Sequence, residues 1–474
     1  MFKQKFFINL FILFFFLCSI LLSFFYLSKY DTYLLDGYTH NMLKEETGAH
    51  WFRAALILEQ IKSGTSFFTA GGEMFTKPLP QRLVVIYSYL TGFEIIENWE
   101  NLKISLGGKF LFLFTQSLLY YFSILLFYNQ IKKFIDQKIC LFIILFLCAE
   151  PTIFQYHSSF WTESIYFSIQ LLILTTLLLQ NESNYKYLLL GLLLGLLFIQ
   201  RSAGIFYIVI ILIYLLTNEN QNKLKKIFLV LLPYVIICLI LGSHNFKRAE
   251  IFYVMPTEGK YGMYRYFAKD ILREANKTTI TKINTSEKQN SLNWIDNNLK
   301  ELNSQDYAHL NQPYSIGIAI KNEKYRIKFW SYLNKRAYEI LIENPIITIK
   351  RVIGGFIHFS VLNPFFVYFD YEFFKDYPSA VIGDFSFSEK HKELILSRLI
   401  YSTLIYSICL LGLLELFKKN LKLTLLLLFS IIYYYIILGW YGKTRLFTPN
   451  LIYLSIFFGY GFEKIIKLIK VKTK

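Results

Sequence analysis

The sequence predicts an all-α polytopic membrane protein with about ten transmembrane helices (range about nine to twelve), whose outer loops form a small α-rich extracytoplasmic domain. Two observations carry this prediction. Hydrophobic residues make up 54% of the 474 residues and charged residues only 18%, whereas soluble proteins carry about 25% charged residues. The mean hydropathy is positive, at +0.39, and long uncharged runs recur along the chain. These features exclude a soluble two-domain enzyme and a disordered protein.

The first apolar run, residues 6–28, carries no charge and would extend about 34 Å as a helix. Lys3 and Lys5 precede it, which places the N-terminus in the cytoplasm. The run is too long for a signal peptide and lacks its small-residue cleavage site, so it is interpreted as a retained anchor. Further spans are predicted at residues 104–128, 139–154, 161–180, 187–200, 202–217, 227–243, 395–417, 423–440 and 447–466.

The positive charges decide how the run 187–217 is divided. A single span there would move the later lysine clusters to the outer face, so two spans are predicted. The short cytoplasmic loops then carry Lys132, Lys133, Lys138, Lys186, Lys223, Lys225, Lys226, Lys418, Lys419, Lys422 and the lysines of the tail. The net charge of +17 therefore reflects membrane topology and indicates no nucleic-acid partner.

Three parts follow from this topology: an N-terminal transmembrane catalytic module at 1–243 with a first outer loop at 29–103, an extracytoplasmic loop domain at 244–394, and C-terminal transmembrane helices at 395–474. Three segments of the loop domain have predicted conformations of their own. They are an exposed loop at 276–312, an amphipathic helix at 322–343, and an interfacial or re-entrant segment at 347–363 that Lys350 and Arg351 interrupt.

The cysteines and histidines indicate no metal centre. All five cysteines lie inside apolar runs, and their spacing fits neither a disulfide framework nor a metal site. The seven histidines form no HExxH or similar cluster. We therefore predict no metal ligands and no certain cofactor, although the acids of the outer loops are compatible with a divalent cation.

A minority of charged residues falls on the predicted outer face, against the general trend. Arginine and lysine at a membrane edge can bind the phosphate of a lipid, and a nearby carboxylate can act as a general base. The same cations would stabilise the leaving phosphate. The candidate residues are Asp36, Glu45, Glu46, His50, Lys77, Glu163, Arg201, Lys247, Arg248, Lys443 and Arg445.

Each candidate also has a structural interpretation, and the residues alone leave both open. Outer-loop carboxylates are commonly solvated surface groups, and Glu163 could serve only as the partner of Arg201. Lys77 precedes a proline and could belong to a turn. Arg445 could pair with lipid headgroups, and His50 could pack within a short helix that ends at Gly64.

Several short motifs and their order along the chain resemble those of the GT-C superfamily of polytopic glycosyltransferases. The resemblance is specifically to the dolichyl-phosphate-mannose protein mannosyltransferase-like and aminoarabinose-transferase-like branch. The resemblance covers most of the chain. It rests on EETGAHWFRAALILEQIKSG, MFTKPLPQ, YHSSFWTES, GLLLGLLFIQRSAGIF, HNFKRAEIFYVMPTEGKYGMYRYFA, ENPIITIKR and GKTRLFTPN.

The resemblance implies roles for particular residues. The first-loop catalytic carboxylate falls on Glu46, with Asp36 as the rival acid. His50 takes the place of the family's aromatic residue or histidine one turn later. The remaining substrate- and phosphate-binding positions fall on Lys77, Glu163, Arg201 and Arg445.

The implied activity is that of an inverting glycosyltransferase that moves a hexose or pentose from a polyprenyl-phosphate donor to a lipid, protein or cell-envelope acceptor. The resemblance and a Lys-, Asn-, Ile- and Phe-rich composition suggest undecaprenyl phosphate in a bacterial inner membrane, with the active site facing the periplasm. Membrane lipids are the other expected partners. The alternatives are a lipid-linked glycan ligase or polymerase, which would take an oligosaccharide on pyrophosphate, and a transporter or flippase.

Overall fold

The computed structural model describes residues 2–29, 54, 57–65, 78–92, 106–157, 163–218, 222–255, 258–362, 392–439 and 447–472. All regular secondary structure in these ranges is helical, which confirms the predicted fold class. The described residues form two compact units. The membrane unit comprises those within 1–72, 78–235 and 356–474, and the second unit those within 236–355.

Nine helices cover the first half of the described chain. They are α1 (Phe2–Lys29), α2 (Pro78–Thr91), α3 (Leu106–Ile131), α4 (Gln137–Ala149), α5 (Pro151–His157), α6 (Glu163–Leu177), α7 (Asn184–Gln200), α8 (Tyr207–Asn218) and α9 (Lys223–Ala249). The ninth, α9, begins in the membrane unit and ends in the second unit.

Nine further helices cover the second half. They are α10 (Glu258–Met263), α11 (Lys269–Ala275), α12 (Ile280–Asn298), α13 (Pro313–Ala319), α14 (Glu323–Glu343), α15 (Pro345–Ser360), α16 (Lys392–Lys419), α17 (Leu421–Leu438) and α18 (Pro449–Lys472).

Five helical segments are long and apolar enough to cross a membrane: Phe6–Phe24, Phe110–Ile131, Lys223–Lys247, Leu396–Lys419 and Leu421–Leu438. Four of the other predicted spans correspond to shorter apolar helices, and the tenth to α18. The apolar helices make the chain an integral membrane protein. The number of spans stays a prediction.

The predicted break within the run 187–217 is present. Helix α7 ends at Gln200, and Arg201 has extended backbone angles (φ −149°, ψ 134°). A single 3₁₀ turn, Ser202–Gly204, leads into α8. Because Arg201 is the first residue outside α7, its side chain lies at a helix end and not within an apolar helix.

The first outer loop contains the predicted helix end. Residues 57–62 are helical, and Gly64 follows with φ of 93°. Its backbone N–H donates to the carbonyl of Ile61 at 3.0 Å. A glycine in this left-handed conformation is the usual way to end a helix.

Helices α16 and α18 pack with their backbones in close contact, and glycine makes this possible. A Cβ atom added at Gly412 would collide with the carbonyl oxygen of Phe457, and one added at Gly461 would collide with the carbonyl oxygen of Ile408. In a membrane, small residues at such a contact allow close van der Waals packing.

The loop between α6 and α7 neutralises two of the lysines from which the topology is predicted. Glu182 accepts hydrogen bonds from Lys186 at 3.0 Å, from Lys226 at 2.8 Å and from the hydroxyl of Tyr187. Partial burial raises the pKa of the Glu182 carboxyl, but these three donors outweigh it and lower the pKa to about 2. One carboxylate thereby joins α7 to α9.

In the second unit, the predicted exposed loop at 276–312 is wrong, because α12 occupies most of it. Thr279 caps this helix by accepting a hydrogen bond from the N–H of Lys282. Few apolar residues mark its inner face, because a polar residue occupies part of it: Glu287 is buried and binds Arg336 at 3.2 Å. The predicted amphipathic helix at 322–343 is confirmed as α14.

Helix α15 covers most of the segment predicted to be interfacial. Its exposed face carries Ile346, Ile349 and Ile353, and its two cations both bind Glu274: the Lys350 Nζ and the Arg351 Nε each lie 2.9 Å from that carboxylate. The placement of α15 at a membrane interface, like the predicted domain boundaries, stays a prediction.

Replacing Gly461 by alanine should lower the thermal unfolding midpoint of the detergent-solubilised protein, because the added methyl group forces α16 and α18 apart. Overpacking of this kind costs about 1–3 kcal/mol. Gly354 in α15 is the matched control, since a Cβ there meets nothing within 4 Å, and alanine should leave the midpoint unchanged or raise it. Equal midpoints for the two variants would contradict the close contact.

Replacing Glu182 by glutamine should destabilise the protein at neutral pH and progressively less in acid. The folded pKa lies below that of the unfolded chain, so the carboxylate stabilises the fold above a pH of about 4.5 and loses this effect as the pH falls toward about 2. The measurement is the difference in unfolding midpoint between wild type and variant across this window. A difference that does not depend on pH would be inconsistent with the lowered pKa.

Candidate functional site

An acidic and a basic residue meet at the ends of two neighbouring helices of the membrane unit. Glu163 is the first residue of α6, and Arg201 directly follows α7. The Arg201 Nη1 lies 3.1 Å from the Glu163 Oε1, and the side chains are 6% and 0% exposed. The structure thus brings together two of the predicted site residues, in the pairing that the sequence left open.

Because this ion pair is buried, losing one of its partners would cost much of the stability of the fold. A charge in an apolar environment is costly unless it is paired, and removing one partner of a buried pair typically costs about 3–5 kcal/mol. The first turn of α6 adds a favourable contribution for the Glu163 carboxylate, because a helix N-terminus carries partial positive charge. Arg201 has five N–H donors in a planar fork, so a guanidinium held by Glu163 can still present donors to an anion.

An aromatic ring lies beside the guanidinium of Arg201. Tyr166 follows Glu163 by nearly one turn, and the Arg201 Cζ is 5.6 Å from the centre of its ring. This is within the range of a cation–π contact. The Tyr166 hydroxyl lies 2.6 Å from the hydroxyl of Tyr434 in α17, so the ring is itself held by a hydrogen bond.

Further polar side chains continue the cluster toward the middle of the unit. The Gln170 Nε2 lies 3.2 Å from the hydroxyl of Tyr434, 3.0 Å from that of Tyr453 and 3.4 Å from the carbonyl oxygen of Pro449. Beside them, the hydroxyls of Tyr207 and Ser430 lie 3.0 Å apart. These contacts join α6, α8, α17 and α18 around one buried polar core.

A second hydrogen-bonded chain fixes the start of α6 from the other side. The His157 Nδ1 lies 2.7 Å from the hydroxyl of Ser164, next to Glu163. The Gln116 Nε2 donates to the carbonyl of His157 at 3.0 Å, and the ring of Tyr120 stacks on the imidazole at 3.8 Å between centroids. Polar contacts of this type hold membrane helices together. The position of Glu163 is therefore supported by α3 and α5 as well as by α7.

Glu150 and Arg398 are buried charged residues that the sequence analysis did not single out. Glu150 lies between α4 and α5 and caps α5, accepting hydrogen bonds from the Ile153 N–H at 2.7 Å and the Thr152 hydroxyl at 3.0 Å. Arg398 lies near the start of α16 and is 4% exposed. A charge inside a predicted span was the available signal in both cases, the same signal that identified Glu163.

The remaining predicted site residues lie outside the described part of the chain. These are Asp36, Glu46, His50, Lys77 and Arg445. Lys443 lies there too, whereas Lys247 is an exposed residue of α9. Within the described ranges, no three His, Cys, Asp or Glu side chains are grouped so that they could hold a metal ion.

The comparisons with known proteins point to a glycosyltransferase family. Residues 99–245 match the model of the family described as dolichyl-phosphate-mannose-protein mannosyltransferase. No curated protein sequence matches the chain.

Among solved structures, the archaeal oligosaccharyltransferase AglB from Archaeoglobus fulgidus, in complex with an inhibitory peptide and a dolichol-phosphate, is similar at 13% identity. Its TM-score is 0.48, over 98% of this chain and 51% of that one. ArnT from Cupriavidus metallidurans, bound to undecaprenyl phosphate, is similar at 12% identity and a TM-score of 0.37, over 95% of this chain and 78% of that one. The chain thus spans about half the length of the oligosaccharyltransferase.

The segment matched by the family model begins before α3 and ends within α9, so it contains both Glu163 and Arg201. Over residues 99–245, the match bears out the resemblance to the dolichyl-phosphate-mannose-protein mannosyltransferase family that the sequence motifs indicated.

Proposed function

We propose that this protein is an integral-membrane inverting glycosyltransferase that moves one sugar, a hexose or a pentose, from a polyprenyl-phosphate donor to an acceptor at the outer face of the membrane. The observation that carries the proposal is the buried Glu163–Arg201 pair, placed at the ends of two helices inside the segment that matches the mannosyltransferase family.

In this proposal the cations bind the donor phosphate. Arg201 is already oriented by Glu163 and by the ring of Tyr166, so its remaining N–H donors face a phosphate without further ordering. Lys77 and Arg445, assigned from the sequence, would add charge to the same phosphate. As the glycosidic bond breaks, negative charge accumulates on the leaving phosphate, and cations placed in advance stabilise it.

The base in this proposal is a first-loop carboxylate, Glu46 or Asp36. It would take the proton from the acceptor hydroxyl or amine as that group attacks the anomeric carbon. The acceptor atom bonds to the anomeric carbon from the face opposite the phosphate while the bond to the phosphate oxygen breaks, so the polyprenyl phosphate leaves and the anomeric configuration is inverted in one displacement. A bacterial inner membrane with the site facing the periplasm and undecaprenyl phosphate as the lipid fits this chemistry, with His50 as a contact to the substrate.

Replacing the base should abolish transfer without unfolding the protein. Glu46→Gln or Asp36→Asn is expected to lower transfer from a labelled polyprenyl-phosphate sugar by roughly 10²–10⁴-fold, the usual size of a general-base contribution. The assay uses membranes that contain equal amounts of each variant. Full activity in both variants would rule out both carboxylates as the base.

The ion pair can be tested for a binding role separately from a structural one. Arg201→Gln leaves Glu163 buried without its charged partner, so the unfolding midpoint should fall sharply, by an amount equivalent to about 3–5 kcal/mol. The double variant Glu163→Gln/Arg201→Gln replaces the ion pair by two neutral amides and should recover much of the midpoint.

If Arg201 binds the donor phosphate, this double variant remains inactive although it is folded. If the double variant is as active as the wild type, the pair is only structural and the proposed role of Arg201 is wrong.

A series of lipid-linked donors distinguishes the proposed transferase from a ligase. Transfer only from oligosaccharides on pyrophosphate would indicate a ligase instead.

A further inference from the structure

Three residues of different chemistry share one face of α6. Glu163, Tyr166 and Gln170 are separated by three and four positions, the spacing that places side chains above one another on a helix. All three are completely buried. From the helix end inward, this face therefore presents an acid, an aromatic ring and a carboxamide.

Gln170 is the residue at which three helices meet. Its carboxamide nitrogen has two hydrogens, and three acceptors lie within reach: the hydroxyls of Tyr453 and Tyr434 and the carbonyl of Pro449, at 3.0, 3.2 and 3.4 Å. Tyr434 belongs to α17, whereas Pro449 and Tyr453 belong to α18. The carboxamide thus fixes where both helices lie against α6.

From Gln170, a chain of contacts leads to the guanidinium. The Tyr434 hydroxyl also lies 2.6 Å from the hydroxyl of Tyr166, and the ring of Tyr166 lies 5.6 Å from the Arg201 Cζ. All members of this chain are buried, Tyr434 completely. In such low-dielectric surroundings hydrogen bonds hold their geometry more strongly than in water.

The two neighbours of Arg201 constrain different properties of its side chain. Glu163 compensates the charge and holds one nitrogen, whereas the ring of Tyr166 favours a particular plane for the guanidinium. The plane matters for an anion, because arginine binds phosphate through parallel N–H groups of one planar fork. If the ring of Tyr166 were rotated, the positive charge of Arg201 would stay in place, but its N–H donors would no longer point toward the phosphate.

We propose that Gln170 is a positioning residue for donor binding: through Tyr434 and Tyr166 it sets the plane in which Arg201 presents its donors to the phosphate. Gln170 does not touch the donor in this proposal. The inference rests on the proposed function, in which Arg201 binds the phosphate of a polyprenyl-phosphate sugar.

The test compares binding with turnover. Gln170→Leu and Tyr434→Phe should each weaken binding of undecaprenyl phosphate to the purified protein, and raise the KM for the lipid-linked sugar, by roughly two- to thirty-fold, the range observed for residues that act through a network. The kcat should change less than the KM. Tyr434→Phe keeps the aromatic ring and so remains informative if Gln170→Leu does not fold.

Tyr406→Phe is the matched control. It also removes one phenol hydroxyl, which donates to the carbonyl of Ser360, but it lies outside the chain that leads to Arg201. It should lower the unfolding midpoint to a similar extent and leave undecaprenyl phosphate binding unchanged. If the control weakens binding as much as Tyr434→Phe does, general loosening of the helices explains the effect and the proposal is overturned.

A double-mutant cycle separates this proposal from the one on which it rests. In the Glu163→Gln/Arg201→Gln background, Gln170→Leu should cause no further loss of undecaprenyl phosphate binding, because the residue it acts through is gone. If Gln170→Leu weakens undecaprenyl phosphate binding equally in the wild type and in the Glu163→Gln/Arg201→Gln background, the positioning role of Gln170 is overturned. Wild-type binding by the Glu163→Gln/Arg201→Gln protein overturns instead the proposed role of Arg201.

Discussion

The buried ion pair between Glu163 and Arg201 constrains the rest of the membrane unit. Two opposite charges in an apolar bundle are tolerated only if each stays within reach of the other and if the groups around them are also satisfied. The ends of α6 and α7 must therefore remain adjacent. The extended backbone at Arg201 ends α7 at this residue, so the guanidinium meets Glu163 at a helix end.

The hydrogen-bonded chains around the pair extend that constraint to other helices. On one side, Gln170 and Tyr434 join α6 to α17 and α18. On the other, His157 and Gln116 join its first turn to α5 and α3. Lipid provides no hydrophobic force between helices, so such contacts and the close glycine packing of α16 on α18 supply the specificity of assembly. The candidate site and the stability of the bundle thus depend on the same atoms.

The two charges of the pair could be singled out from the sequence, which left their pairing open, but their surroundings could not. Charge is rare inside apolar runs, and the lysine distribution predicts which run ends face outward, so the sequence assigns Glu163 and Arg201 to one predicted face. Tyr434 and Gln170 carry no charge, and a tyrosine within an apolar run resembles any lipid-facing aromatic residue. Their contact joins residues 264 positions apart, so only the folded structure shows that the carboxamide of Gln170 has a partner there. Helix α12 was missed for a related reason: the buried Glu287 occupies its inner face, so the apolar period is incomplete.

The ion pairs of Glu182 and of Glu163 differ in their consequences for stability. At the end that carries the loop between α6 and α7, Glu182 holds Lys186 and Lys226, but its side chain is half exposed, and water screens these pairs, so each contributes less to stability than a fully buried pair. At the other end Glu163 and Arg201 exclude water, and breaking their contact leaves an uncompensated charge. Loss of Lys186 or Lys226 alone should therefore be tolerated, whereas neutralising Arg201 alone should strongly destabilise the fold unless Glu163 is neutralised as well. The residue on which the proposed phosphate chemistry depends is thus held in place by a buried ion pair whose loss the fold tolerates poorly.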